Sequence, residues 1–391
     1  MHANKHIFRC VCLIFFLCAF SIHHSMFKAP AVKSLRSRAG VAAPLFVPED
    51  FSCGARFAAA PPCEGPIVFR YDFGGGGYGD CLKGFVAVAQ LACVLGCPFS
   101  ADFSRHPFGV TLPFAASAAI PAELAGINDG DPRFVNIGDW ATGPQRLAAR
   151  DGLFAAMAPP ATALRGTGAV VVANIPHHRE LARALKVREG SLEALSRFIF
   201  SSFYSRVLDG EALGSYWPAA AQGAPAPFRV GFHVRMGDMH IAAARGGPTT
   251  GDNRNPDHGE LAAALRLAAA QALLLSGGRP VLFFACADTV EARELLRSSL
   301  APTPVILAPS EPMHIGFKNS FALAGAAQGT LSVAREHHTL STADAVFIAA
   351  TSGFSKTACA VAGAQSPTHV RCFIRVGADW APLEPGGGVW D

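Results

Sequence analysis

The second half of the chain alternates between short apolar runs and helix-like segments, and this alternation restricts the fold more than any other feature. The apolar runs are RVGFHVR, PVLFFACA, TPVILA and DAVFIAA, which begin at residues 229, 280, 303 and 344. Helical patterns follow at GELAAALRLAAAQALLLSGG, TVEARELLRSS and GFSKTACAVAGA, and a weaker helical pattern covers Ala322–Ala327. Repeated strand–helix units predict a parallel, doubly wound α/β sheet.

The first half contains one similar unit. PIVFRYDF, from Pro66, predicts a strand, GGGGYGD a glycine-rich turn, and CLKGFVAVAQLACVLGC a helix that ends before Pro98. Residues 99–185 are loop-rich, although Gly168–Ile175 predicts a buried strand. The segment GSLEALSRFIFSSFYSRVL predicts an amphipathic helix, because the capping residue Ser191 precedes its apolar positions.

Two irregular stretches suggest how the chain is divided. WPAAAQGAPAPF, from Trp217, is rich in Pro and Ala and suggests a hinge. The length of 391 residues favours two domains. We therefore expect an N-terminal α/β domain at 66–225 and a C-terminal α/β domain at 226–391, preceded by a Pro-rich stem or linker at 23–65.

The N-terminus predicts targeting to a membrane. Lys5 and Arg9 precede Cys10–Ile22, a run without charge that is shorter than the ~20 residues of a usual spanning helix. Residues 1–22 therefore form either a signal peptide, with a cleavage site near Ala29–Ala31, or a short signal-anchor, which we favour slightly. The expected location is the Golgi or secretory pathway, as a type II membrane protein or a secreted one.

Cysteine content and charge narrow the function classes. Of eleven cysteines, eight lie beyond the N-terminal apolar run, and an oxidising compartment favours disulfides among them. We expect Cys53 to pair with Cys63, since both lie in irregular sequence, and Cys286 to be a buried thiol. The absence of C-x-x-C gives zinc no support, and a net charge of +4 without a Lys/Arg block gives nucleic acid none.

Polar residues follow three of the predicted strands. Ligands of open parallel sheets bind at the carboxyl ends of the strands, so these residues are candidates for a binding site. They are Arg235, Gly237 and Asp238 after the first strand, Asp288 after the second, and Thr351, Ser352, Gly353 and Phe354 after the last. His233 and Arg235 are two residues apart on a strand and therefore point to one face.

These residue types suit a nucleoside diphosphate. The guanidinium of Arg235 can bind phosphates in bidentate fashion, and small residues at a helix start leave backbone N–H groups free for phosphate oxygens. Such a site could stabilise a diphosphate leaving group electrostatically, without a metal. Structural interpretations stay open: a local Arg235–Asp238 salt bridge, a core histidine at His233, helix caps at Asp288 and at Thr351 with Ser352, and a simple turn at GGGGYGD.

These segments resemble those of a known family. HVRMGD, residues 233–238, resembles the H-x-R-x-x-D segment of the fucosyltransferase superfamily, which includes α1,6-, α1,2- and protein O-fucosyltransferases. GGGYGDCLKGFVAVAQLACVLG is similar to the family's glycine loop and first helix, and VLFFACADTVEARELL to its strand, loop and helix. STADAVFIAATSGFSKTACAVAG is similar to its closing strand and helix start.

The resemblance implies a GT-B-like fold, in which two doubly wound Rossmann-like domains face a cleft. It implies an inverting transfer of fucose from GDP-fucose to a hydroxyl of a glycan or glycoprotein, with no metal or cofactor. The implied donor-binding residues are His233, Arg235, Asp288, Thr351, Ser352, Gly353 and Phe354. Of these, Arg235 would assist departure of the diphosphate. The implied acceptor-side loop is Gly76, Gly77, Tyr78, Gly79 and Asp80.

The general base is not fixed by the resemblance. Where the α1,6-branch has Lys and Glu after its Arg segment, this chain has Met239 and Ala243. Inverting transfer needs a carboxylate or His near the acceptor hydroxyl, and the candidates in order are Asp238, Asp80 and His240. The polar loop TTGDNRNPDHGE, from Thr249, could also reach over the site.

Two other functions are compatible with the sequence. NDGDPRF contains Asp129 and Asp131, a D-x-D pattern that a metal-dependent GT-A transferase would use, although the sequence favours a turn. A non-catalytic lumenal protein that binds a nucleotide or glycan is the second. A hydrolase is disfavoured, because G-x-S-x-G and the P-loop pattern are both missing from the sequence.

Overall fold

The computed structural model describes residues 63, 65–71, 77–104, 120, 122–128, 130–136, 168–173, 189–219, 223, 225–237, 254–255, 257–309, 312, 326–365 and 370–383, and every structural statement below refers to them. The segment predicted at 1–22, and nearly all of the stem predicted at 23–65, lie outside these residues.

The first sheet has four parallel strands. They are β1 Ile67–Arg70, β2 Phe99–Asp102, β3 Phe134–Asn136 and β4 Ala169–Val172, in the order β2-β1-β4-β3. Every residue of β1, β2 and β4 is buried, which explains why these strands appear in the sequence as apolar runs without alternation. The short strand β3 is only half-buried and was not predicted.

The helices of the first half include one that is almost wholly buried. They are α1 Tyr78–Leu95, α2 Ala122–Ala125, α3 Glu189–Ser202, which continues into a π-helical turn at Phe203–Val207, and α4 Gly210–Leu213. Helix α1 begins three residues earlier than predicted, because Asp80 accepts a hydrogen bond from the N–H of Gly77 and caps it. Among the described residues α1 alone is apolar and long enough to cross a membrane, and 89% of that stretch is buried in the protein.

The second sheet has six strands. They are β5 Phe228–Val234, β6 Val281–Ala287, β7 Val305–Leu307, β8 Ala345–Ile348, β9 Arg371–Val376 and β10 Asp379–Leu383, in the order β10-β9-β8-β5-β6-β7. All neighbours pair in parallel except β9 and β10, which form an antiparallel pair at one edge. The predicted α/β class with parallel sheets is confirmed.

Four helices accompany this sheet: α5 His258–Leu275, α6 Val290–Ser299, α7 Ala326–Ser341 and α8 Gly353–Gln365. The prediction at Ala322–Ala327 was wrong in extent, since the helix continues to Ser341; residues 322–325 lie outside the described residues. The buried residues of α7 include polar ones such as Thr330, His337 and Thr339. The apolar periodicity that indicates a helix is therefore weak in this segment.

The two sheets share a helical layer. Phe69 on β1 and Phe85 on α1 belong to the same apolar cluster as Val333 on α7 and Val361 on α8. Helix α8 of the second half thus packs against α1 and α3 of the first half, and α1 in turn packs on β1. The strands divide on either side of the predicted boundary at residues 225 and 226, and the division into domains at 66–225 and 226–391 stays a prediction.

The disulfides differ from the expected pairing. Cys63 is bonded to Cys97, not to Cys53, which lies outside the described residues. Cys63 and Cys97 precede β1 and β2, and the parallel register of these strands brings the two Cα atoms to 4.9 Å. A second disulfide joins Cys359 to Cys372, and Cys286 is a buried free thiol, as predicted.

Candidate functional site

The turn after β5 is held by the carboxylate of Asp288. Its Oδ1 accepts from the N–H of Met236 at 2.9 Å and its Oδ2 from the N–H of Gly237 at 3.2 Å. Gly237 has a φ of 110°, a conformation that favours glycine. Asp288 does not cap α6; Thr289 does, by accepting from the N–H of Ala292 at 3.2 Å. The ends of β5 and β6 are therefore tied together.

The electrostatics of Asp288 follow from this position. Burial raises the pKa of its carboxyl group above the ordinary value, while the N–H groups of Met236 and Gly237, and the charge of Arg235, act in the opposite direction. The carboxylate is half-buried and supports the backbone that carries Arg235. Its predicted role in donor binding stays a prediction.

A second link joins the ends of β5 and β8. The amide of Asn255, which is fully buried, donates to the carbonyl of Arg235 at 2.6 Å. Arg375 on β9 donates to Asn255 Oδ1 at 2.9 Å and to the carbonyl of Ala349 at 3.2 Å. The guanidinium of Arg254 donates to the carbonyl of Thr351. The polar loop from Thr249 thus contributes Arg254 and Asn255 to the strand ends.

Asn255, Arg254 and Arg375 were not predicted as site residues. Asn255 and Arg254 lie in the loop that was predicted to reach the site. The sequence of that loop does not distinguish these two residues from its other polar residues. Arg375 lies on a strand that was not predicted. Its contacts depend on the order β9-β8-β5, which a single sequence does not reveal.

His233 is buried and neutral. The residue is 6% exposed, and its Nδ1 has no hydrogen-bond partner among the described residues. Burial, and the nearby charges of Arg235 and Arg254, lower its pKa to about 3. The interpretation of a satisfied core histidine is therefore not supported, since one ring nitrogen is buried without a partner.

The starts of α1 and α8 pack main chain against main chain. A Cβ on Gly79 would lie 2.1 Å from the carbonyl carbon of Gly353, so no larger residue fits without a shift. A Cβ on Gly353 would lie 2.8 Å from Lys83 Nζ and 2.9 Å from Asp80 Oδ1. The described part of the predicted acceptor-side loop therefore lies against the predicted donor-binding residues at the start of α8.

Asp80 already has two partners at this contact. Its Oδ2 accepts from the N–H of Gly77 at 3.1 Å, and its Oδ1 lies 3.3 Å from Lys83 Nζ. Lys83 was not predicted as a site residue, although it lies one helical turn from Asp80. Both carboxylate oxygens of Asp80 are therefore engaged by groups of α1 and its cap.

Phe354 lies among aromatic side chains. Its ring centroid is 5.3 Å from that of His233, 5.1 Å from that of His337 and 6.2 Å from that of Tyr78. Ser352, which precedes α8, is buried, and Thr351 is exposed. Those residues predicted at three strand ends that the structure describes are thus brought together at one edge of the second sheet, next to α1.

Several predicted residues lie outside the described ones: Asp238, Met239, His240, Ala243, Gly76 and Asp129. Asp131 forms a turn, in which its Oδ1 accepts from the N–H of Arg133 at 2.8 Å and its carboxylate pairs with the Arg133 guanidinium. Within the described parts of the chain, no group of three or more His, Cys, Asp or Glu residues is placed to hold a metal ion.

No protein-family model matches the sequence, and no curated protein sequence matches it significantly. Solved structures do resemble the fold. A mutant of Arabidopsis thaliana FUT1 in complex with GDP is 12% identical, with a TM-score of 0.52 over 85% of this chain and 78% of that one. The fucosyltransferase NodZ from Bradyrhizobium is 15% identical, with a TM-score of 0.43 over 83% of this chain and 99% of that one.

At these identities the likeness shows the fold. The α/β architecture with two parallel sheets is that of the GT-B fold, and the chain resembles fucosyltransferases over most of its length. The resemblance inferred from HVRMGD is confirmed at this level.

Proposed function

We propose that this protein is an inverting glycosyltransferase, which transfers fucose from GDP-fucose to a hydroxyl group of a glycan or glycoprotein. The observation that carries the proposal is the convergence of the β5, β6 and β8 ends with the start of α8, beside two arginines, Arg235 and Arg254. The FUT1 structure of similar fold contains GDP, which supports a GDP-sugar as donor. The fucose assignment is supported by the H-x-R-x-x-D segment.

Arg235 is the residue that we expect to bind the diphosphate. Its backbone is fixed from two sides, by Asn255 at its carbonyl and by Asp288 at the two following N–H groups. A permanently charged guanidinium on a fixed backbone stabilises the negative charge that develops on a departing diphosphate. The backbone N–H groups at the start of α8 would donate hydrogen bonds to phosphate oxygens on the other side.

A neutral His233 is consistent with this assignment. An imidazolium in the buried position beside Arg235 would add to an already positive environment, and burial disfavours it. A neutral ring can still donate or accept one hydrogen bond, and its buried Nδ1 has none within the described part of the chain. His233 would therefore orient the donor rather than transfer a proton.

The acceptor would approach from the side of α1. Gly77, Tyr78, Gly79 and Asp80 lie at the start of this helix, next to Gly353. Asp238 is the first candidate for the general base, since Asp80 is paired with Lys83. We place the reaction in the lumen of the secretory pathway, most simply the Golgi, with the N-terminal segment as membrane anchor.

A panel of nucleotide sugars tests the proposal most directly. The full-length protein, purified in detergent, is expected to bind GDP and to hydrolyse GDP-fucose slowly, more readily than GDP-mannose or UDP-sugars. Arg235→Ala should lower transfer by about 10²–10³-fold, the cost of removing a donor that stabilises transition-state charge. Arg266→Ala is the matched control, because this arginine is exposed on α5 and lies outside the proposed site.

Four results would change the assignment. Preference for a UDP-sugar would refute the donor, and near-normal turnover by Arg235→Ala would refute the mechanism. Loss of transfer in EDTA, restored by a divalent cation, would favour the metal-dependent alternative. Tight GDP binding without turnover on any acceptor would favour the non-catalytic alternative. That alternative is compatible with Met239 and Ala243, which stand where the α1,6-branch has Lys and Glu.

A further inference from the structure

A chain of buried polar side chains connects the π-helical turn to the start of α8. The hydroxyl of Tyr204 lies 2.6 Å from His337 Nδ1, and His337 Nε2 lies 3.0 Å from Thr357 Oγ1. Thr357 donates to the carbonyl of Gly353 at 2.8 Å. His337 and Thr357 are 0% exposed and Tyr204 is 7% exposed, so water does not compete for these bonds.

The partners determine where the protons are. The Thr357 hydroxyl uses its proton on a main-chain carbonyl of the first turn of α8, so its oxygen can only accept from His337. His337 must then carry its proton on Nε2. Its unprotonated Nδ1 accepts a hydrogen bond from the Tyr204 hydroxyl. Burial, with the nearby His338 and His233, lowers the pKa of His337, which keeps the ring neutral as this arrangement requires.

His337 also lies between the starts of two helices. Its ring centroid is 5.0 Å from that of Tyr78, the first residue of α1, and 5.1 Å from that of Phe354 in α8. The Tyr78 hydroxyl lies 3.5 Å from the Tyr204 hydroxyl, which closes the connection to α1. Helix α7, through His337, thus contacts both sides of the proposed site.

We propose that His337 is a positioning residue for the donor: it holds the first turn of α8 in place against α1, so that the N–H groups there meet a nucleoside diphosphate. The inference rests on the proposed function, because the ligand of α8 is taken from it. His337 does not touch the donor. It acts through Thr357 and through Phe354.

Two substitutions distinguish the roles of the two ring nitrogens of His337. His337→Gln offers an amide N–H close to the position of Nε2 and retains the bond to Thr357, whereas His337→Asn offers an oxygen near Nδ1 and leaves Thr357 without its donor. We expect His337→Asn to weaken GDP binding about tenfold, as for one lost buried hydrogen bond, and His337→Gln to stay within about threefold of the wild type. Calorimetry with GDP measures both.

A neighbouring histidine provides the matched control. His338 follows on the same helix, packs its ring 4.4 Å from that of Tyr204 and hydrogen-bonds the carbonyl of Gly214. His338→Asn should lower the unfolding temperature as much as His337→Asn does, without changing GDP affinity. If His337→Asn does not fold, Thr357→Val and Thr357→Ser form a second pair. Thr357→Val removes the hydroxyl group, and Thr357→Ser retains it.

Hydrogen exchange makes the test independent of the ligand. Peptides that span residues 351–358 should exchange faster in His337→Asn than in the wild type. In His338→Asn their exchange rates should equal those of the wild type. Equal loss of GDP affinity in the Asn and Gln variants, or unchanged exchange at 351–358, would overturn the proposal. If the wild type does not bind GDP, the proposed function fails, and the exchange rates alone decide whether His337 holds the first turn of α8.

Discussion

At the residue scale, Gly79 and Gly353 show how closely the proposed acceptor and donor sides meet. The missing side chains let two helix starts touch through main-chain atoms. Asp80 and Lys83 surround this contact and reach Gly353 from the side of α1. Glycine at these two positions is a steric requirement, unlike at Gly237, where glycine is needed for its positive φ.

Gly79→Ala should therefore destabilise the protein. Alanine would favour the helix by about 1 kcal/mol, but overpacking against the backbone of Gly353 costs about 1–3 kcal/mol, and we expect the second effect to win. Denaturant unfolding measures the difference. Gly126→Ala is the control, because a Cβ there meets no atom within 4 Å and should be neutral. A stabilised Gly79→Ala variant would contradict the contact.

The buried histidines make stability depend on pH. His233 has a pKa of about 3 in the fold, against an ordinary value of 6.5. Since its folded pKa is depressed, its contribution is fully present above pH 6.5 and is lost as pH falls towards 3. Glu336 acts in the opposite direction: burial raises its pKa to about 7, so its contribution fades as pH rises from 4.5 through 7.

His233→Gln should reduce the loss of stability in acid. The variant cannot be protonated, so its unfolding free energy should fall less than that of the wild type between about pH 7 and about pH 4. Thermal unfolding at several pH values measures this slope. His337 and His338 also have lowered pKa values, so a smaller decline will remain. Identical slopes in variant and wild type would show that His233 is not buried neutral.

At the scale of elements, what the sequence predicts depends on which face of each element is apolar. Strands β5, β6 and β8 were predicted because they are buried apolar runs. The true extent of α7 was missed because polar residues such as His337 and Thr339 lie on its buried side. The local pattern of apolar residues therefore identifies elements that bury apolar side chains. It does not reveal an element such as α7, which buries hydrogen-bonded polar side chains.

The Cys63–Cys97 disulfide is an element-scale feature that spacing alone did not predict. It links the approaches to β1 and β2 across a separation of 34 residues. Its removal by Cys63→Ala should lower the unfolding free energy by about 2–4 kcal/mol under oxidising conditions. Non-reducing peptide mapping checks the pairing itself. A peptide that joins Cys53 to Cys63 would contradict it.

At the scale of the molecule, the class of fold could be predicted and the details of the site could not. Alternating strands and helices predicted parallel sheets, and the residues at three strand ends are close together as expected. The supports of these residues come from far along the chain: Arg375 reaches Asn255 over a separation of 120 residues, and its strand was not predicted. Such contacts depend on strand order, which local pattern does not contain.

Arg375→Met should loosen the strand-end loops. It removes charged donors from Asn255, Ala349 and Glu260, and we expect the unfolding free energy to fall by about 1–3 kcal/mol and GDP affinity to decrease. Denaturant unfolding and calorimetry measure the two effects. Arg371→Met is the matched control on the same strand, where the side chain is exposed. Equal effects of both substitutions would show that the network does not support the site.

Arg375 follows the other residues of the strand-end network in the chain, and this sets the order in which the proposed site can be completed during synthesis. A ribosome that has released β5 through β8 has delivered Arg235, Asp288 and Ser352, but not the guanidinium that joins Asn255 to the carbonyl of Ala349. A nascent chain that stops before β9 would therefore possess its binding residues without their final geometry. The proposed donor site is therefore complete only after β9 has been synthesised.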